Sequence, residues 1–285
     1  MNKKNLIAII LPILFLLSVI ILIITTNNKT SSYDDPYIPI GFSKINNNYK
    51  EGIIIKDNLD NEFVWIPVNN INISRKEFKN GEITNIETNK EIDRIYYGEE
   101  VKFSKLYNYA KDNPEYNIDK FIESINNNGG FYISRYEMSL ENNKIYSKPH
   151  MNVLNNVTRD EAFNYSINMY DNNDIISSLI NSYAWDITLE VLNDKEYLKN
   201  KENTNKNILK TGESNDIKFN IYDLSGNVSE WTSEYSSNGY YSFTSPCVQR
   251  GNNYSEEYLN PTIRQYNGID AKNDFIGFRT ILYIK

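Results

Sequence analysis

Sulfur and imidazole are almost missing from this chain: its 285 residues include one cysteine, Cys247, and one histidine, His150. A single thiol excludes an intramolecular disulfide framework, and the shortage of both residue types excludes a zinc or iron centre built on several Cys or His ligands. Only metals held by oxygen remain open. A basic stripe is missing too. The net charge is −7 and the two signs are interspersed, so nothing presents itself to a row of phosphates, and neither nucleic acid nor a nucleotide is an expected partner. No repeat of solenoid period runs along the chain.

What the chain does have begins with a long apolar run. Leu6 to Ile24, LIAIILPILFLLSVIILII, is interrupted only by Pro12 and Ser18, long enough for one spanning helix across a hydrocarbon core of about 30 Å. Lys3 and Lys4 precede it, which keeps the N-terminus in the cytoplasm and exports the remainder. A cleaved signal peptide is the rival reading. Against it, the run exceeds the usual apolar length, no A-x-A site follows, and no cysteine is placed for a lipid. The expected layout is a membrane anchor over residues 1–26, a polar linker over 27–37 and one extracellular domain over 38–285, in a single-pass protein of the cell membrane.

Within that domain the pattern alternates between short strands and a few helices, an α+β, loop-rich reading with about three helices. Ile53–Ile55 and Phe63–Val68 flank KDNLDNE and predict a hairpin, and Asn80-Gly81 suits a type I′ turn. Pro114 opens a helix with Ile118, Phe121, Ile122 and Ile125 on one face, ended by Asn126 to Gly130. Phe131–Met138 alternates as a strand and places Arg135 and Glu137 on one face. Thr158 and Glu161 form a capping box for a helix through Tyr170, with Phe163, Ile167 and Tyr170 inward. A third helix runs from Tyr183 to Leu192 with Trp185, Leu189 and Leu192 inward. Lys195 to Lys218 reads as an exposed excursion. Short strands follow at Val248–Gly251 and Gly277–Tyr283.

The most informative stretch is Asn220 to Thr232, NIYDLSGNVSEWT. It offers two readings. In one, Asp223 and Glu230 give carboxylate oxygens and the turn at Gly226 aims the carbonyls of Gly226 and Val228 inward, an oxygen cage for calcium. In the other, it is a tight turn in which Asp223 and Asn227 bond their own backbone.

Read in order, several segments resemble the formylglycine-generating enzyme family, also called the sulfatase-modifying factor family, whose fold is related to C-type lectins. Gly41-Phe42 and EFVWIPV at Glu62–Val68 look like its first strands, and FYISRYEMS at Phe131–Ser139 like its Tyr-Glu-Val-Thr strand. Val157–Tyr170 and Ala184-Trp185 fall where its helices are expected. NIYDLSGNVSEWTSE resembles the signature G-L-Y-D-M-x-G-N-V-W-E-W, and Arg250-Gly251 and Gly277-Phe278-Arg279 its closing R-G-G and G-F-R. The resemblance implies calcium held by Asp223, Gly226, Val228 and Glu230, with Trp231 and Arg279 as structural residues and Arg279 paired to Glu230 or Glu137.

One departure bears on activity. Members that oxidise a sulfatase cysteine hold copper(I) on two cysteines between R-G-G and G-F-R, and a soft ion needs thiolates. Here Asn252–Ile276 contains none, Cys247 stands before Arg250, and Ser229 replaces the signature's first tryptophan. The three-histidine iron centre of ergothioneine-type relatives is likewise beyond one histidine. No copper and no catalytic residue are therefore expected. Glu256-Glu257 and the pair Asp270 and Asp274 read as solvated loop carboxylates before they read as an acid–base pair. Tyr240, Tyr241, Tyr254, Tyr258 and Tyr266 form either a recognition surface or core filling with the hydroxyls at the rim. The resulting expectation is a calcium-stabilised binding module facing an unidentified protein or small ligand. The alternatives are an oxidoreductase of formylglycine-generating type acting on a protein cysteine, or a structural cell-envelope protein.

Overall fold

Asp57 shows how the local sequence sets the architecture. Its carboxylate accepts the N–H groups of Leu59 and Asn61, each at 2.8 Å, and closes the turn between two apolar runs into a hairpin. The computed structural model describes residues 35–69, 71–74, 76–79, 82–85, 112–236 and 244–285. The apolar run at Leu6–Ile24, the turn residues Asn80-Gly81, and Tyr240 and Tyr241 lie outside them. No helix among the described residues is long and apolar enough to cross a membrane.

In chain order the strands of the first half are β1 (Phe42–Lys44), β2 (Ile54–Asp57), β3 (Glu62–Pro67), β4 (Lys76–Lys79) and β5 (Glu82–Asn85). Helix α1 (Ile118–Asn128) follows a 3₁₀ turn that takes up Pro114, starts on the Asn117 side chain, and stops where Gly129 adopts φ 76°. Then come β6 (Gly130–Ser134), β7 (Ser139–Glu141), β8 (Lys144–Tyr146) and α2 (Arg159–Ile167), which carries the Thr158/Glu161 capping box in full. After β9 (Ile175–Leu179) and α3 (Ser182–Leu192) the elements are short: β10 (Lys201–Glu202), β11 (Ile217–Lys218), β12 (Ile221–Tyr222), β13 (Ser229–Tyr235), β14 (Cys247–Arg250), β15 (Tyr258–Leu259), β16 (Arg264–Asn267), β17 (Ile276–Phe278) and β18 (Thr280–Ile284). Three α-helices among the described residues and many short antiparallel strands make an α+β fold.

Two sheets organise it. The larger runs β1-β2-β3-β6-β18-β9, all neighbours antiparallel, so the C-terminal strand lies between two strands from earlier in the chain. The smaller runs β16-β14-β13-β17, with β13 and β17 parallel. Helices α1 and α3 cover one face of the larger sheet through Phe121, Ile125 and Trp185 against Val64, Ile66 and Ile281. A second cluster joins α2 to the smaller sheet through Phe163, Trp231 and Phe278.

Three expectations need correction. The strand at Phe131 ends at Ser134, so Arg135 and Glu137 do not share a strand face: Arg135 pairs with Glu62 at 2.5 Å, while Glu137 is buried against residues 227 and 228. Helix α2 stops at Ile167, and Tyr170 packs its ring between Phe42 and Phe63 instead. The charged stretch 195–218 is no free excursion. Tyr197, Leu198, Asn203 and Thr211 are buried, and Asn203 donates to the carbonyls of Tyr254 and Glu256.

Candidate functional site

Strand β12 delivers the chain into a loop that reverses within five residues. Asp223, Gly226 and Asn227 all take left-handed backbone, at φ 58°, 108° and 53°. Side chains and backbone from residue 216 hold it: Asp223 donates its N–H to the Asp216 carbonyl at 2.8 Å, and Ser225 its N–H to the Asp216 carboxylate at 3.1 Å. The loop has the tight conformation of the turn reading, but Asn227 does not bond its own backbone: its side chain pairs with Glu137 and with the backbone of Leu209, both outside the loop.

The loop collects buried carboxylates. Asp223 is 3% exposed, and Glu230 and Glu137 are 1% exposed. Glu137 accepts from the Asn227 side-chain amide at 2.5 Å and from the Val228 N–H at 3.1 Å. Glu230 accepts from the Arg279 Nε at 2.7 Å through one oxygen, which selects Glu230 over Glu137 as the arginine's partner. The guanidinium spends its other nitrogens on the carbonyls of Ser134 and Tyr222. Glu230 Oε2 is buried with no hydrogen-bond partner. Trp231, 0% exposed, donates its indole N–H to the Val157 carbonyl at 2.8 Å and locks the next strand to the start of α2.

Three buried acids against one buried guanidinium leave the cluster short of positive charge. Burial raises the Asp223 carboxyl to about 6 and the Glu230 carboxyl to about 7, and burial followed by the neighbouring charges of Asp223 and Glu230 raises Glu137 well above its ordinary range. A hard dication is the group that such a set fits, since it would satisfy Glu230 Oε2 and supply the missing charge. Among the described residues no group of three or more His, Cys, Asp or Glu side chains converges on one metal position. A cage here therefore needs backbone oxygens as well, and the carbonyls of Gly226 and Val228 accept no loop or side-chain hydrogen bond among the described residues. Asp223 and Gly226 also line a polar cavity of about 400 Å³ shared with Asn203 and Asp216, a route from solvent.

The neighbouring interval, residues 252–276, holds no thiol. Sequence reasoning missed what it holds instead, an amide network across the smaller sheet. Gln249 Nε2 donates to Gln265 Oε1 at 2.7 Å, Gln265 Nε2 donates to Glu256 Oε1 at 3.0 Å, and Asn253 Nδ2 donates to Ser229 Oγ at 3.3 Å. The available signal was Gln249 and Gln265 on strands of matching length, which register as partners. Ser229, at the position of the signature's tryptophan, is part of this network. Cys247 is fully buried in the apolar cluster with Trp231 and Phe278, and burial raises its thiol pKa. Glu256 is tied to Gln265, whereas Asp270 and Asp274 are exposed, so these acids do not form a pair. Of the tyrosines among the described residues, Tyr258 is 52% exposed on β15, and Tyr254 and Tyr266 are half-buried, the latter on β16 opposite Val248. His150 is an exposed loop residue at φ 63° beside Glu213.

Residues 177–284 match the family model of the Sulfatase-modifying factor enzyme 1-like domain. The match spans the Asp223 loop, the amide network and Arg279. No curated protein sequence matches the chain.

Proposed function

We propose, for a chain that belongs through residues 177–284 to the sulfatase-modifying factor family, that this domain is a calcium-stabilised binding module on the outside of the cell membrane and does not oxidise cysteine. One observation carries the reading: the segment between Arg250 and Gly277 is joined to the smaller sheet by amides that satisfy one another, while the adjoining loop buries more carboxylate charge than Arg279 neutralises. A two-thiolate copper site cannot be assembled from one cysteine, and the one present is packed in the core. Calcium would be held by Asp223, Glu230 and the carbonyls of Gly226 and Val228, and its role is to fix the loop between β12 and β13. The apolar run at Leu6–Ile24, preceded by Lys3 and Lys4, supports anchoring with the domain exported.

Calcium binding to the native state alone stabilises by RT ln(1 + [L]/Kd), about 2.7 kcal/mol at one hundred times Kd. Wild-type protein is expected to gain melting temperature with calcium, and Asp223→Ala and Glu230→Ala to lose that gain. Variants that respond to calcium and chelator as wild type does would remove the ion from this loop. Incubation with copper and a Cys-containing sulfatase peptide is expected to yield no aldehyde, and aldehyde formation would establish the oxidoreductase in place of the binding module.

A further inference from the structure

A second cavity, lined by described residues, lies outside the family-matched segment. Its lining comes from three elements: the β2–β3 turn (Asp57, Leu59, Asn61), the β7–β8 hairpin (Asn143 to Tyr146), and α2 with the residues just after it. Its volume is about 570 Å³, within the range of small-molecule sites.

The wall of this cavity divides into groups that are spent and groups that are not. Asp57 accepts four hydrogen bonds, from the N–H groups of Leu59 and Asn61, the Asn61 side-chain amide and the Tyr170 hydroxyl, all at 2.7 to 2.8 Å. Asn61 Oδ1 takes the Ser147 N–H at 2.9 Å, which ties the turn to the end of β8. Glu161 caps α2 and meets Lys272 at 2.8 Å. These fix the frame and have nothing left to offer. By contrast the hydroxyls of Tyr146 and Tyr165 and the side-chain amides of Asn143 and Asn164 have no hydrogen-bond partner among the described residues, and Asn168 commits its nitrogen to the Asn164 carbonyl while its oxygen stays free. Tyr165 rests one ring face on Phe278 and is held rigid, and Leu59, Ile145 and Met169 add apolar surface. The cation on the lining is Lys144 at the exposed tip of the hairpin, and the Asp57 carboxylate is held by neutral donors only.

That inventory selects a ligand chemistry. A phosphate would need several cations or a converging set of backbone N–H groups, and an amine would need a free carboxylate. Neither is present in the lining. Side-chain amides donate and accept at once, phenol hydroxyls do the same, and tyrosine rings accept an apolar C–H face. A ligand with adjacent hydroxyls on a partly apolar ring uses all of these together. We propose that this cavity is a saccharide site, taking a neutral mono- or disaccharide unit, with Asn164, Asn143, Tyr146 and Tyr165 as its polar contacts. The proposal is independent of the calcium loop, whose residues take no part in the lining.

The test uses full-length protein in detergent micelles, with maltose, N,N′-diacetylchitobiose and a glucuronate-bearing disaccharide as probes, read by saturation-transfer NMR and calorimetry. At least one neutral probe is expected to bind, and Asn164→Ala and Tyr146→Phe each to weaken it by about tenfold, the loss of one hydrogen bond. Asn164 is exposed on a helix, so its alanine variant keeps the fold, and an unchanged melting temperature serves as the control. Absence of binding by all three probes at millimolar concentration would overturn the proposal, as would binding that neither variant alters. Binding abolished by calcium chelation, with the fold intact, would move the sugar to the Asp223 loop and also overturn it.

Discussion

At the scale of single residues, the decisive groups are Asp223 and Glu230, whose carboxyls burial lifts to about 6 and about 7. An acid raised above its unfolded value favours the native state in its protonated form. Its stabilising contribution is complete below the unfolded pKa and disappears as pH rises through the folded one. Metal-free protein is therefore expected to lose stability between about pH 4 and about pH 7, a few kcal/mol for the two groups together. Calcium held as proposed would reverse the sign, because it would bind the ionised forms and have to displace the protons. From about pH 8 to about pH 5, apparent calcium affinity should fall by more than tenfold, the steepest part lying below about pH 6 where both carboxyls hold protons. Calorimetric titration at three pH values measures this, and a pH-independent affinity would show that neither carboxyl is a ligand.

At the scale of elements, the signals legible in the sequence were the ones built from neighbours along the chain. The Thr158 hydroxyl accepts the Glu161 N–H at 3.1 Å and the Glu161 carboxylate accepts the Thr158 N–H at 2.8 Å, as the spacing of the two residues predicts. Thr158→Ala should cost about 1 kcal/mol, a fall in melting temperature of about 2 to 4 °C for a domain of this size, while Thr158→Ser retains most of it. Thermal denaturation of the two variants side by side checks this. The hairpin of β2 and β3 and the span of α3 were equally local and equally legible. Less was visible where the partner is distant. Nothing near Tyr197 or Asn203 announces that they are buried, because their covers, Asp216 and the backbone of residues 253–256, arrive later in the chain. The strand through Phe131 stops at Ser134 because Arg135 turns to Glu62 and to the Asn220 carbonyl, an interaction 85 residues away. The candidate loop was legible in its residue types, and its charge imbalance was not, since Glu137 joins it only through the fold.

For the molecule as a whole, the order β1-β2-β3-β6-β18-β9 has a consequence for the boundaries of the folding unit. Strand β18 bonds β9 on one side and β6 on the other, and β6 in turn bonds β3. A second tie is electrostatic. Asp186 on α3, 0% exposed, accepts from Arg250 at 2.8 Å, from Arg264 at 2.7 Å and from the N–H of Lys76 at 2.9 Å, joining the β4 strand to the smaller sheet. Segment 177–284 would keep both arginines and lose β3, β6 and their apolar face, including Val64, Ile66, Phe131 and Ile133, all 0% exposed. An edge of β18 left unpaired and a core open on one side cannot offset the chain entropy of more than one hundred residues. The family-matched segment alone is therefore expected to be unfolded, with collapsed amide dispersion in NMR and no cooperative melting. The stretch from residue 35 to residue 285 is expected to melt in one transition, the same by far-ultraviolet and by tryptophan signals. Two separable transitions in the longer stretch, or a cooperative melt of 177–284 alone, would divide the domain where this sheet order says it cannot be divided.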